Sequence, residues 1–142
     1  MTKAELTQAD YTALAEFRFL IRAFLEFSEN AAKEAGLTPR QHQALLVVKG
    51  YGRGQPITVG VLAERLKIRH NTAVELANRL SEAGLIVKSH DHSDHRRVLI
   101  GLTDLAEDRL AELSKAHVDE LSRIGPMLEG VSGFGSKKTG PG

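Results

Sequence analysis

The chain has 142 residues, with 19 Lys and Arg against 18 Asp and Glu, for a net charge of +1. That length suits one ordinary domain rather than a two-domain cofactor enzyme, yet it is enough to bury a core. The absence of cysteine excludes a disulfide framework, a thiolate zinc site, a cysteine nucleophile and a thiol redox sensor. No run approaches the ~18 uninterrupted apolar residues of a membrane span, and the polar N-terminus lacks the apolar core of a signal peptide. A cytoplasmic protein is therefore expected. A net charge of +1, taken alone, argues against a nucleic-acid partner. Its distribution does not. Residues 1–36 carry four basic and six acidic side chains, residues 37–103 ten and five, and residues 104–142 five and seven. A segment of net +5 lies between two of net −2, which points to an anionic partner for the middle.

The spacing of Phe17, Leu20, Ile21, Phe24 and Leu25 predicts one long helix over 8–34. Phe19 and Phe27 widen its apolar surface beyond one stripe, so it needs more than one packing partner, a second subunit among them. Gly36 breaks the chain. Thr38 then caps a second helix, with Pro39 at its first position, running to about Lys49. Residues 50–56 read as a loop rich in glycine. Thr58 caps a third helix through Leu66, although Val61 leaves its capping box incomplete. A tight turn at 66–68 leads to a fourth helix over 70–83, closed by Gly84. Two strand-like runs follow, 85–89 and 98–102, around a charged tip at 91–97. Thr103 caps a fifth helix with a single stripe of Ala106, Leu110, Leu113, His117, Leu121 and Ile124, which Gly125-Pro126 is expected to stop. The expected fold is mainly α with a small β-hairpin wing, a winged helix-turn-helix between N- and C-terminal helices.

Within the fourth helix, Ala73, Leu76, Ala77 and Leu80 form the face to be buried. The opposite face carries Asn71, Val74, Glu75 and Asn78, with Arg69 and His70 leading in. Such a face suits a major groove, where Asn can pair bidentately with adenine and Val can meet a thymine methyl. At the wing tip, Arg96 and Arg97 are placed to reach a minor groove, and Asp94 can brace Arg96 through a bidentate ion pair.

These residues resemble the MarR family of transcriptional regulators. Asp94-His95-Arg96, five residues and Leu102-Thr103 match its D-x-R-x5-L-T wing signature. Leu62 to Leu66 resembles its helix-turn-helix entry. Arg79-Leu80 with Glu82 to Ile86 is similar to its passage from recognition helix to wing, and Leu37-Thr38-Pro39 to its second-helix start. The resemblance spans about residues 8–125. It implies a homodimer reading a pseudo-palindromic operator on double-stranded DNA, with half-sites about one helical turn apart. It assigns base or phosphate contacts to Arg69, His70, Asn71, Thr72 and Asn78, a phosphate or wing-bracing role to Arg79, and minor-groove contact to Arg96 with Asp94 as brace, beside the Val74 and Arg97 contacts read from the helix face and the wing tip. Phe17, Leu20, Ile21, Phe24, Leu110, Leu113, His117 and Leu121 become the dimerisation set. A repressor released by a small-molecule effector follows, with His42 beside the family's ligand cleft. No cofactor, metal or catalytic residue is implied. Glu75 departs from the family's neutral or basic choice, and Lys67 sits at a turn position that is often glycine, which implies backbone strain.

The expected division is a dimerisation helix at 1–36, the winged helix-turn-helix at 37–103, C-terminal dimerisation helices at 104–131 and a flexible tail at 132–142. Two other readings remain open. One is a winged-helix protein-interaction module without a DNA role. The other is a metallohydrolase, because His90, His92, Asp94 and His95 fit H-x-H-x-D-H. That hydrolase needs a larger sandwich fold and further ligands downstream, where His117 is the only histidine. The wing histidines could instead sense pH near ~6.5.

Overall fold

The computed structural model describes residues 5–139, with side chains through residue 131. Its elements are α1 (Gln8–Glu34), α2 (Pro39–Gly52), β1 (Ile57–Thr58), α3 (Val59–Leu66), α4 (His70–Glu82), β2 (Ile86–His90), β3 (Val98–Leu102) and α5 (Asp104–Thr139). The chain divides into two compact units. One holds the residues up to Asn30 and from Lys115 onward; the other is Ala31–Ser114.

The second unit is the winged helix. Its helices begin where threonines supply acceptors for otherwise orphaned N–H groups. Thr38 Oγ1 accepts from Gln41 N at 3.1 Å, and Gln41 Oε1 accepts from Thr38 N at 3.0 Å, a complete capping box. Thr58 Oγ1 accepts from Val61 N at 3.1 Å, and Thr103 Oγ1 from Ala106 N at 3.2 Å. Helix α2 runs on through Tyr51, into the stretch expected as loop. There the Arg65 guanidinium lies 4.3 Å from the Tyr51 ring centroid, a cation–π contact that secures the last turn.

Three helix ends close in the same way. The αL residue donates to the carbonyl three back, and the next residue to the carbonyl five back. Gly36 (φ 78°) closes α1, Lys67 (φ 55°, ψ 48°) closes α3 and Gly84 (φ 74°) closes α4. The strain expected at Lys67 is therefore present. The hairpin gains an unexpected third strand: the sheet order is β1-β3-β2, all antiparallel. Two residues were too short a run to read as a strand. Ile57 pairs with Ile100, and both are buried. Leu45, Leu62, Leu80, Leu85 and Ile100 form the most deeply buried part of the core. Each fully buried leucine contributes roughly 1.5–3 kcal/mol. The expected buried face of α4, Ala73, Leu76, Ala77 and Leu80, is buried.

Two of the expected dimerisation residues belong to this core. Leu110 and Leu113 are 3% and 4% exposed, packed within the unit Ala31–Ser114. The periodic stripe of α5 was read as one surface, but its first three turns serve the chain's own core.

In the other unit, α1 starts with a reciprocal cap. Asp10 Oδ2 accepts from Thr7 N at 2.9 Å, and Thr7 Oγ1 from Asp10 N at 3.2 Å. Leu20 is buried within the chain rather than left for a partner, as is Ile124. His117 Nε2 lies 2.8 Å from Ser28 Oγ and meets the rings of Phe24 and Phe27 edge-on at 5.8 and 5.3 Å. An exposed apolar stripe remains on α1: Tyr11, Leu14, Phe17, Ile21 and Leu25; Phe19 is exposed on a different face of the helix. On α5, Val118, Leu121 and Met127 are also exposed. Helix α5 does not stop at Gly125-Pro126. It passes through Pro126, which is exposed, as is Ser122 four residues before, so the carbonyl left without its donor can be hydrated. Of the tail expected over 132–142, the backbone is helical to Thr139 and the remainder lies outside the described residues.

Candidate nucleic-acid interface

Burying Ala73, Leu76, Ala77 and Leu80 turns the opposite face of α4 outward. Asn71, Val74, Glu75, Asn78 and Arg79 are exposed, as are Arg69 and His70 at its start, and Thr72 is partly so. Arg69 occupies the N-cap position, but its side chain makes no cap hydrogen bond. The orphaned N–H of Thr72 is met instead by Asn71 Oδ1 at 3.0 Å. At the other end, the Lys88 ammonium of β2 donates to Asn78 Oδ1. Lys88 shares its strand face with Ile86, which is buried, and so it is directed to the side on which α4 packs. Lys88 was not among the expected site residues. Strand alternation from Ile86 was the signal that could have found it.

The wing tip is held by its own side chains. Asp94 Oδ1 accepts from both the backbone N (3.1 Å) and Nε (3.2 Å) of Arg96. One oxygen takes both donors, so the brace is not the bidentate fork expected. The Arg96 side chain still stands 93% exposed. Arg97 pairs with Asp91 across 3.7 Å. Asp91 Oδ1 also accepts from Ser93 N at 2.9 Å and Ser93 Oγ at 2.8 Å. Those two bonds, led by the backbone N–H, together with the Arg97 charge, hold the Asp91 carboxyl below the usual range. His90 Nδ1 lies 2.9 Å from the His95 carbonyl oxygen. Arg79 is exposed at the far end of α4, and the wing carboxylates pair with Arg96 and Arg97 rather than with it.

The wing is tied to α4 at its base. Thr103 Oγ1 donates to the Gly84 carbonyl at 2.7 Å, and Thr103 N donates to the Leu85 carbonyl at 3.1 Å. The same threonine caps α5, which gives the Leu102-Thr103 pair a physical role in fixing wing to recognition helix. Between α4 and the wing runs a groove of about 350 Å³, lined by Thr58, Val59, Gly60, His70, Val74, Arg96, Arg97 and Val98. It brings His70 and Val74 of α4 together with Arg96 and Arg97 of the wing. Thr58, Val59, Gly60 and Val98, which also line it, were not among the expected site residues.

His42 is buried on α2, 4% exposed, and lines neither this groove nor the smaller hollow around Lys49, Pro56 and Glu107. At His90, His92, Asp94 and His95, the residues of the alternative metal site, Asp94 Oδ1 is taken by Arg96, and among the described residues no three His, Asp or Glu side chains converge to hold a metal. No helix among the described residues is long and apolar enough to cross a membrane.

Residues 35–97 match the sequence profile of a family described as the MarR family. An uncharacterized HTH-type transcriptional regulator of Bacillus subtilis, YcgE, is 29% identical over 129 residues, 90% of this chain and 75% of that protein. The HTH-type transcriptional repressor MdtR of the same organism is 30% identical over 88 residues, 62% of this chain and 54% of that protein. Among solved structures, AbsC, a MarR family transcriptional regulator from Streptomyces coelicolor, superposes with a TM-score of 0.74 at 18% identity, covering 96% of this chain and 94% of that one. A Staphylococcus aureus MepR mutant bound to an oligodeoxyribonucleotide gives 0.66 at 20% identity, covering 95% and 100%. NadR in complex with 4-hydroxyphenylacetate gives 0.68 at 20%, covering 97% and 93%.

Proposed function

We propose that this chain is a transcriptional regulator of the MarR family, whose profile residues 35–97 match, and that it binds double-stranded DNA sequence-specifically as a homodimer. One observation carries the reading: the exposed face of α4 and the wing arginines flank a single groove. In this reading α4 enters the major groove, with Arg69 and His70 at its start and Asn71, Thr72, Val74 and Asn78 along it. Arg96 and Arg97 reach the adjacent minor groove while Asp94 sets the direction of Arg96. Arg79 serves a neighbouring phosphate. The profile match over residues 35–97, and the oligonucleotide bound to MepR in the same fold, support it.

The exposed apolar stripe of α1, with Phe17 and Ile21, and the exposed Val118 and Leu121 of α5 supply the dimer surface. An uncovered apolar patch of that length marks an interaction site. Phe24 and His117 brace it from within the same unit. Two winged helices then read half-sites about 10 bp apart. Repression is the favoured mode, by likeness to MdtR. A small-molecule effector that alters the spacing of the two recognition helices would break both half-sites together, as the liganded NadR structure encourages. The test is recovery of duplex fragments from sheared genomic DNA by the purified protein, with the mass of the complex measured in solution. Discrete fragments bound by two copies of the chain support the reading. Non-specific retention at physiological salt, or a monomer at micromolar concentration, refutes it.

A further inference from the structure

Gly60 stands exposed in the first turn of α3 and lines the groove between α4 and the wing. Nothing within the chain calls for glycine there. Its φ is not positive, so the backbone conformation does not require it. A β-carbon at this position would lie 3.6 Å from Thr58 Oγ1, an ordinary contact, and, its chain neighbours apart, would meet no other side chain within 4 Å. Alanine is also the better helix former. A glycine that its own chain does not need marks a place where something else comes close to the backbone. The β-carbon of a helical residue tilts toward the helix N-terminus, here toward Thr58, which lines the same groove. A methyl group at position 60 would therefore narrow the groove while leaving the fold undisturbed.

The lining says what the groove suits. Val59, Val74 and Val98 make part of it apolar. His70, Arg96 and Arg97 supply positive charge and N–H donors, and no carboxylate is among the lining residues. The Thr58 hydroxyl accepts from Val61 N and keeps its own hydrogen to donate. A DNA backbone offers the matching pair of properties, apolar sugar faces alternating with phosphate anions. Its position fits as well. One backbone strand separates a major groove from the adjacent minor groove, so a strand must pass between a helix seated in the first and a wing reaching the second. We propose that this strand occupies the groove and that Gly60 is a DNA-contact position, where the bare backbone lets a phosphate come within hydrogen-bond reach of Thr58 and His70. The proposal rests on the DNA-binding reading above and adds α3 to the surface that reading places on DNA.

The test compares Gly60→Ala and Gly60→Leu with the wild type on a recovered duplex. Gly50→Ala is the control, because Gly50 is an exposed helical glycine of α2 with open space around it and lines no groove. In urea denaturation, Gly60→Ala and Gly50→Ala should unfold at or above the wild-type midpoint, which separates any loss of binding from unfolding. Gly60→Ala should bind DNA more weakly by on the order of tenfold, the loss of a charge-assisted hydrogen bond, and Gly60→Leu more weakly still. Gly50→Ala should stay within about twofold of the wild type. Phosphate contacts carry no sequence information, so the ranking of different duplexes should not change. Wild-type affinity in Gly60→Ala, an altered ranking of duplexes, or a lowered urea midpoint for Gly60→Ala overturns the proposal and leaves the DNA-binding reading standing. Failure of the wild type to bind any duplex above the non-specific level overturns that reading and this proposal with it.

Discussion

Lys67→Gly should stabilise the free protein. The three closures of α1, α3 and α4 are the same motif, with Leu37 N to Ala32 O at 2.9 Å, Ile68 N to Ala63 O at 3.0 Å and Leu85 N to Leu80 O at 2.9 Å. Each needs one residue at positive φ. Gly36 and Gly84 supply it without a Cβ penalty, whereas Lys67 holds φ 55° and ψ 48° with a full side chain. A non-glycine residue in that region costs roughly 1–2 kcal/mol. Glycine returns about 0.5–1 kcal/mol of this through its greater freedom in the unfolded chain. The net expected gain is about 0.5–1 kcal/mol. Urea denaturation at fixed protein concentration should show a higher midpoint with an unchanged slope. Arg53, the other non-glycine residue at positive φ (51°) among the described residues, should behave alike when replaced by glycine. A midpoint that is unchanged or lower would refute the reasoning, because it would mean the Lys67 side chain recovers the strain within the free protein.

Other outcomes follow from the same geometry. Leu80→Ala, at a fully buried position on the inner face of α4, should cost about 2–5 kcal/mol in the same denaturation experiment. Arg69→Ser should add the missing cap and raise stability by about 1 kcal/mol, while weakening DNA binding and flattening its salt dependence. At the wing tip, the Asp91 carboxyl is held low by the Ser93 backbone N–H, the Ser93 hydroxyl and Arg97. A depressed carboxylate contributes order that is complete above its ordinary value near ~3.9 and is lost as pH falls through its lowered one. The Ser93 amide resonance should therefore keep its hydrogen-bonded shift through pH ~4 and move only below it. Movement at the ordinary value, or above it, would count against the turn.

Much of this was legible in the sequence because the signals were periodic or local. The period of α1, the buried face of α4 and the caps at Thr38, Thr58 and Thr103 each need only a few neighbouring residues. Glycine at position 84 announced the end of α4. What escaped was set by tertiary contact. The guanidinium of Arg65 over Tyr51 carries α2 past Gly50. Ile57 finds Ile100 from 43 positions away along the chain, and so makes a strand from two residues. At Pro126 the rule that proline stops a helix gave way on an exposed face, where the freed carbonyl can be hydrated. Within the candidate interface, residue types and faces could be read, but hydrogen-bond roles could not. That the amide oxygens of Asn71 and Asn78 already hold one donor each depends on Thr72 N and on Lys88, which belongs to another element. The dimerisation set was over-read for a related reason. Leu20, Leu110 and Leu113 have the same periodicity as Phe17 and Leu121, and periodicity does not say whether a stripe meets its own chain or another.

The central claim is that the α4 face and the wing act together on DNA. It is tested most directly by the salt dependence of binding to a recovered duplex, for the wild type and for Arg96→Ala. The Arg96 side chain is 93% exposed, so its loss should leave the fold intact. For the wild type, log K should fall linearly with log salt concentration. Arg96→Ala should bind more weakly, with a slope shallower by about one for each subunit. Equal affinity and equal slope for the two proteins would contradict it.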